Sequence, residues 1–557
     1  MRDLFNRYSR ICPIFRRRLL LPLLIILIGH IQACNKNTET PAVNEKHVHS
    51  IIPLPENVEV LEGNLSLDKN VIVVNNPGFE SSIALVESTL NEVFDSPVSR
   101  KDQPGNGVNI IFYFEVKLSS EEYQLDIGAN GITVKAGSPA AAYYAAQSIR
   151  QMVWNVCPGG KTGSFLLRQM KIKDKPSYAW RGVHLDVARH MFTREYLFRI
   201  IDWMSYYKLN KLQLHLTDDQ GWRIEIDQFP LLTEKGAWRE FDSYDSTCIE
   251  YSKTNPYFTI DPRFIKEVNG KKQYGGYYSK QDIREIIKYA SEHFIDIIPE
   301  IDMPGHMSAA IRSYPYLSCS DSAGWGNEFS FPICPCNQET MDFTFAVWDE
   351  VAELFPSNVL HIGCDEVETA TWEASAGCLT FMQEHNMLNS REIQNYFVTQ
   401  LQEHLQAKGK TVIAWDDVIE GEVDDKLVMM YWRDWVTDSP DRCATNGNSI
   451  ILSPVTPFYF SGDNSDLSLE TLFQFIPTGK YDLAVVNKVI GIQSCMWTEI
   501  IPSEPLFEEF MFPKLQALSE VCWSSSRDWR SFQVRMSSHF NFMNEQGIHY
   551  SRPSWMK

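Results

Sequence analysis

The sequence predicts an α/β fold in which a (β/α)8 TIM barrel follows a small α+β domain. Three observations point to it. From Tyr178 onward, short apolar runs alternate with amphipathic helical stretches, the grammar of parallel strands joined by helical crossovers. Eight such runs can be counted, the number that closes a barrel. Before them, residues 51–175 mix strands and helix without that alternation.

The elements follow in chain order. Arg16-Arg17-Arg18 precede an apolar run from Leu19 to Ile28, which is shorter than the roughly 20 apolar residues a membrane span needs. A basic flank, a short apolar core and a small residue before a cleavage point read as an export signal over residues 1–33. It ends Ile31-Gln32-Ala33-Cys34, which resembles a bacterial lipobox, with Cys34 the lipidated residue. Residues 34–50 are polar and read as a tether. The expectation is an exported protein, lipid-anchored at the periplasmic or outer surface of a Gram-negative envelope and touching the membrane only through that anchor.

In residues 51–175, Val71–Val74 and Val108–Phe114 read as strands. Tyr123–Gly128 and Ile132–Lys135 flank an Asn130-Gly131 turn, a hairpin signal. Ala140–Trp154 has the Ala content of a good helix. No cluster of reactive side chains falls here, so a support role is expected. The catalytic part is expected over residues 176–557. Its strands are Gly182–Asp186, Lys211–Leu216, Ile295–Ile301, Val359–Gly363, Thr411–Ala414, Leu427–Tyr431, Ser449–Leu452 and Val489–Cys495. Helices are expected over Thr193–Tyr207, Lys280–His293, Met341–Phe355, Arg391–Lys408 and Leu506–Cys522, and Ser279 to Asp282 has capping-box spacing. Residues 227–278 are an insertion after the second strand.

Charge narrows the partners. The chain carries a net −20, and the first 33 residues hold six Arg against one Asp, so the remainder is more acidic still. Without an extended basic stretch beyond the leader, a nucleic-acid partner is not expected. Cys334-Pro335-Cys336 lacks a second ligand pair at zinc-site spacing, so neither metal nor cofactor is expected, whereas a few disulfides are.

A barrel presents its chemistry at the C-terminal ends of its strands. Reading just past each strand gives Asp186, Arg189 and His190; His215, Asp218 and Asp219; Glu300, Asp302 and His306; Asp365, Glu366 and Glu368; Trp415, Asp416 and Asp417; Trp432 and Arg433; Tyr459; and Trp497 with Glu499. Three Trp on one rim suit a polar ligand with an apolar face, as sugars have. Adjacent carboxylates at a strand end, Asp365-Glu366, repel each other, and burial raises at least one pKa. A carboxyl that keeps its proton near neutrality can donate it to a leaving group.

These segments resemble glycoside hydrolase family 20, the β-N-acetylhexosaminidases. The resemblance rests on Leu185–His190, His215–Arg223, Pro299–His306 and His361–Glu366, then Trp415-Asp416, Tyr431-Trp432 and Trp497-Thr498-Glu499, in family order. It spans Tyr178 to about Trp523, and the preceding domain matches the family's usual companion. It implies substrate-assisted hydrolysis of terminal β-linked GlcNAc or GalNAc, in which the substrate's 2-acetamido oxygen attacks the anomeric carbon to form an oxazolinium ion. It further implies Glu366 as general acid and then base, and Asp365 as the group that orients the acetamido N–H. Arg189 would bind hydroxyls 3 and 4, and Glu499 hydroxyls 4 or 6. Trp415, Trp432 and Trp497 would wall in the acetamido group and the ring, and Tyr459 would donate to the acetamido oxygen. Asp218, Asp302, His306 and His215 would form a network tuning Glu366.

Three departures from the family pattern stand out. Cys364 and Cys336 each replace a common Gly, which leaves two readings: a Cys336–Cys364 bridge, or two independent small buried residues, the second preferred. Ser461 stands where an Asp contacting hydroxyls 4 and 6 is common. That departure keeps open enzymes releasing a 6-sulfated sugar or a disaccharide. A different class, a non-catalytic glycan binder, should have lost the acid, and Glu366 is present. The sequence does not reveal the oligomeric state.

Overall fold

A computed structural model of the chain describes residues 50–320, 330–462 and 467–556. The expected export signal, with Cys34, and all of the expected tether but its last residue lie outside them.

The first layer is a mixed seven-stranded sheet. Its order is Asn57–Asp68, Ser164–Asp174, Tyr123–Gly128, Gly131–Ala136, Asn109–Phe114, Ile72–Val74, Ser99–Lys101. The Asn130-Gly131 turn does join an antiparallel pair, with Tyr123 opposite Ala136 and Gly128 opposite Gly131. Two helices, Glu80–Val93 and Pro139–Val156, share a core with this sheet through Ile83, Val86, Leu90, Ala145 and Ile149. The first helix and the two long edge-side strands were not expected. Asn57–Asp68 is exposed along most of its length, so it lacks the apolar run that marks a strand.

The expected barrel is present and closed. Its eight parallel strands are Trp180–Asp186, Lys211–His215, Asp296–Glu300, Val359–His361, Thr411–Trp415, Val428–Tyr431, Ile450–Leu452 and Val489–Met496, the last pairing with the first. Each is buried over most of its length, as strands covered on both faces must be. The helix Lys280–Glu292 begins at the expected capping box, Ser279 accepting from the Asp282 amide and Asp282 from that of Ser279. The single helix expected over Leu506–Cys522 is two, Glu504–Met511 and Lys514–Trp523, because Pro513 lacks an N–H and ends the first.

Of two disulfides, Cys319–Cys334 closes the loop after the third strand on itself, and Cys336–Cys378 ties that loop to the helix Ala376–Glu384 that follows the fourth. Cys336 therefore does not bridge to Cys364, which is a buried free thiol. Cys364 adopts a left-handed φ of 77°, where Gly is the easier residue, and its Sγ donates to the Met303 carbonyl at 2.9 Å. Among the described residues, no helix is long and apolar enough to cross a membrane.

Candidate active site

The fourth strand ends at His361, and the chain then turns through Gly363, Cys364 and Glu366, all at positive φ. Gly363 cannot carry a side chain, since a Cβ would lie 1.8 Å from Asp302 Oδ1. That close approach lets Asp302 accept from the Cys364 amide at 3.0 Å. His306 is a fourth rim residue at positive φ, 54°. Non-glycine residues held there cost about 1–3 kcal/mol each, and such strain gathers where side chains must be aimed.

The rim is crowded with carboxyl groups. Burial pushes the Glu366 pKa up to about 7, and Asp365 and Asp417 add to the rise while His306 and Arg189 oppose it. A third of its side chain (34%) still meets solvent, so the carboxyl is reachable from outside rather than sealed in the core. Burial likewise raises Asp417 to about 7, helped by Asp416 and Asp365. Asp302 and Asp365 form a close buried pair with His306. Burial raises both, and Asp302, facing the Asp365 charge, rises well above the usual carboxylate range. Asp302 therefore holds the shared proton and leaves Asp365 as the acceptor.

A chain of alternating charges runs from the barrel interior to this rim. Glu300 Oε2 lies 3.0 Å from His215 Nδ1, and His215 Nε2 lies 2.8 Å from Asp218 Oδ2. Asp218 Oδ1 is 3.3 Å from His306 Nδ1, whose Nε2 is 3.7 Å from Glu366 and 3.8 Å from Asp365. Burial alone would discharge His306, but Asp218, Asp219 and Asp302 raise its pKa well above the usual imidazole range. Burial would also protonate Asp218, yet Arg189 and His306 hold it well below the ordinary value. Glu300 is fully buried and accepts from Trp415 Nε1 and Gln213 Nε2, both at 2.8 Å.

The aromatic residues form a connected wall. Trp415 is 6.2 Å from Trp497, Trp497 is 6.1 Å from Tyr459, and Tyr459 lies nearly parallel to Trp432 at 6.3 Å, centroid to centroid. Arg189 sits 5.0 Å over the Trp497 ring. Its fork is shared among Asp218 at 2.7 Å, Asp186 at 3.0 Å and Gln220 at 2.9 Å, with Glu499 at 3.9 Å. Ser461 accepts from the Trp497 amide at 3.0 Å, so its hydroxyl fixes the Trp497 backbone.

All twelve site residues read from the sequence beyond the leader thus gather at one end of the barrel or, for His215, just beneath it. Asp417, Asp219 and the 227–278 insertion were visible in the sequence without an assigned role. Asp417 accepts from the Glu366 amide at 3.2 Å and from Trp432 Nε1 at 2.7 Å, tying the acid to the aromatic wall. Asp219 accepts from Ser308 and Ser330 amides at 3.1 and 2.7 Å, fixing the His306 loop. The doublets Asp218-Asp219 and Asp416-Asp417 were the available signal. Lastly, the 227–278 insertion forms a three-stranded sheet and a helix, and buttresses the first strand's loop. Arg239 donates to the Arg189 carbonyl at 2.9 Å, and the Tyr274 hydroxyl accepts from the Met191 amide at 2.7 Å.

Several rim and interior groups, such as Asp302, His306 and Asp365, lie close enough to share a metal ion. The same spacing serves proton sharing between carboxyls beside an imidazolium, which is how their pKa directions fit together.

The comparisons with known proteins agree with this geometry. The model of the glycosyl hydrolase family 20 catalytic domain matches residues 178–526, and that of the family's domain 2 matches residues 48–175. The β-hexosaminidase of Porphyromonas gingivalis is 28% identical over 96% of this chain and 69% of its own length. The β-N-acetylhexosaminidase of Cellulomonas fimi is 26% identical over 90% of this chain and 95% of its own. Among solved structures, a Vibrio harveyi exo-β-N-acetylglucosaminidase in complex with N-acetylglucosamine superposes with a TM-score of 0.79 at 28% identity, covering 91% of this chain and 79% of that one. The Bacteroides fragilis β-N-acetylhexosaminidase gives 0.75 at 25% identity, over 90% and 97%. The chain belongs to glycosyl hydrolase family 20.

Proposed function

We propose that the chain is an exo-acting, retaining β-N-acetylhexosaminidase that removes terminal β-linked GlcNAc or GalNAc by substrate-assisted catalysis. The observation that carries this reading is the pair Asp365 and solvent-reaching Glu366 at the end of the fourth strand, both beside His306, with burial raising Glu366 to about 7. The activities named for the relatives, and the GlcNAc bound by the Vibrio harveyi structure, support it.

The roles that the family resemblance implies are consistent with the geometry. Glu366 donates its proton to the glycosidic oxygen, then takes one from water. The 2-acetamido oxygen closes on the anomeric carbon, and Asp365 accepts the acetamido N–H as positive charge develops there. Asp302 keeps Asp365 ionised by holding the shared proton. Asp218 keeps His306 cationic, so that the imidazolium stabilises whichever of Asp365 and Glu366 is negative. Trp415, Trp432 and Trp497 enclose the sugar, with Tyr459 set to donate to the acetamido oxygen. Arg189 and Glu499 take the hydroxyls on the far side of the ring.

A panel of aryl β-glycosides tests this. The GlcNAc and GalNAc derivatives should be hydrolysed and the glucoside, which lacks the acetamido nucleophile, should not. Comparable turnover of the glucoside would contradict substrate assistance. A second reading concerns position 6. Ser461 directs its hydroxyl to the Trp497 amide and brings no carboxylate to the ring, so a 6-sulfated GlcNAc meets less repulsion. The 6-sulfo member of the same panel decides it. Export and a lipid anchor at Cys34 remain part of the proposal on the strength of the leader pattern. Labelled palmitate should enter the full chain in a Gram-negative host and not its Cys34→Ala variant; equal labelling of both would refute the anchor.

A further inference from the structure

The aromatic wall does not stop at the pocket. Trp435 packs edge-on against Trp432, 4.9 Å between ring centroids at 88°. It is 60% exposed, and it is the only exposed tryptophan among the described residues, whereas Trp415 and Trp432 are 1% and 8% exposed. Trp435 is thus the exposed end of the wall, packed on the buried Trp432.

The turn that carries Trp435 is rigid. Asp434 N donates to the Trp432 carbonyl at 2.9 Å and Val436 N to that of Arg433 at 2.8 Å. Arg433 is anchored on Asp416 by bonds of 3.0 Å to the carboxylate and 2.8 Å to the carbonyl, and Asp434 accepts from the Thr456 amide at 2.9 Å. Apart from its edge contact with Trp432, this large apolar ring is held out into water, which costs solvation free energy.

Asp417 joins this end of the wall to the acid. One of its oxygens takes the Glu366 amide and the other the Trp432 indole N–H. Trp432, with Trp435 packed on it, is thereby tied through one carboxyl to the loop that carries the acid. A general acid protonates the glycosidic oxygen, so the sugar that leaves must lie beside that loop.

We infer that Trp435 is a stacking platform for the leaving sugar, taking the apolar C–H face of a pyranose ring on the reducing side of the bond that is cut. The inference rests on the reading of Glu366 as the acid, and it deepens that reading. It assigns the enzyme to substrates whose GlcNAc or GalNAc is joined to a second sugar, rather than to a small alkyl group.

The test compares two substrates in wild type and in Trp435→Ala. N,N′-diacetylchitobiose presents a pyranose to the platform, and 2-acetamido-2-deoxy-β-glucosyl fluoride presents nothing that reaches it. The ratio of kcat/KM for the disaccharide to that for the fluoride should fall about tenfold, mostly through KM of the disaccharide. Trp435→Phe, which keeps a ring, should retain most of the ratio. Thermal unfolding of both variants confirms that each is folded. An unchanged ratio in a folded Trp435→Ala enzyme overturns the platform while leaving the activity reading intact. A wild-type enzyme that cleaves neither substrate overturns the activity reading and the platform with it.

Discussion

Two buried polar regions of this molecule show how differently charge can be used at the same depth. One is the seam between the seven-stranded sheet and the barrel. There Lys208 Nζ lies 3.2 Å from Asp174, which also accepts from the Tyr123 hydroxyl at 2.6 Å and Trp523 Nε1 at 2.8 Å. Arg181 meets Glu121 at 2.7 Å, and Arg535 meets Glu520. Each cation has its carboxylate, and the carboxylate's remaining lone pairs are taken. The other region is the rim. Asp302, Asp365 and Glu366 crowd around the His306 imidazolium, with Asp417 beside Asp365 and Glu366, while Arg189 is largely engaged by Asp186 and Asp218. Matched charges lock a seam; burial without a matching cation, with like charges added, makes carboxyls keep their protons. The seam has the electrostatics of a joint and the rim those of an acid.

Substitutions separate the two most sharply. Glu366→Gln should lose on the order of 10²–10⁴ in kcat on substrates with poor leaving groups, and Asp365→Asn on the order of 10²–10³. Steady-state kinetics on purified, folded variants checks both. At the seam, Lys208→Met leaves Asp174 buried without its cation and should cost about 3–5 kcal/mol of stability. Its kcat per folded molecule should stay close to wild type, as denaturant melts paired with active-site titration would show.

The rim's effect on stability should carry the opposite sign. Because folding raises the Glu366 pKa, its contribution is present below the unfolded value of about 4.5 and is lost as pH rises through about 7. Glu366→Gln, which never ionises, should therefore melt higher than wild type at pH 8, with the gap closing toward pH 4. Equal melting temperatures at both pH values would show that folding does not raise the Glu366 pKa. Asp417→Asn keeps an acceptor for Trp432 but removes a negative neighbour of Glu366. Its alkaline limb of activity should move to lower pH, a smaller effect that a pH series of kcat/KM resolves. Smallest is Ser461→Asp, which should leave turnover of GlcNAc within a few-fold and lower that of the 6-sulfated substrate.

Much of this was legible in the sequence because the barrel's strands are short apolar runs that end on reactive residues. Val359–Gly363 leads into Asp365-Glu366, and Ile295–Ile301 into Asp302 and His306. Asp417 was visible as one of a doublet, but its role depends on reaching both an amide and an indole, which only three-dimensional geometry supplies. The partner of Cys336 was not legible either, since Cys378 lies 42 residues on and no local pattern joins them. Long, mostly exposed strands such as Asn57–Asp68 carry little apolar signal, so the small sheet was read with fewer strands than it has. The brace from Arg239 to the Arg189 loop lies in an insertion whose sequence gives no hint of where it packs.

The central claim is that burial, reinforced by the neighbouring carboxyls Asp365 and Asp417, makes Glu366 a proton donor at neutral pH. The most direct measurement is the pH dependence of kcat/KM for N,N′-diacetylchitobiose, a substrate whose leaving group needs an acid. Activity should fall as pH rises through about 7, following loss of the Glu366 proton. An alkaline limb near 4.5, the ordinary value for a glutamate, would contradict the account.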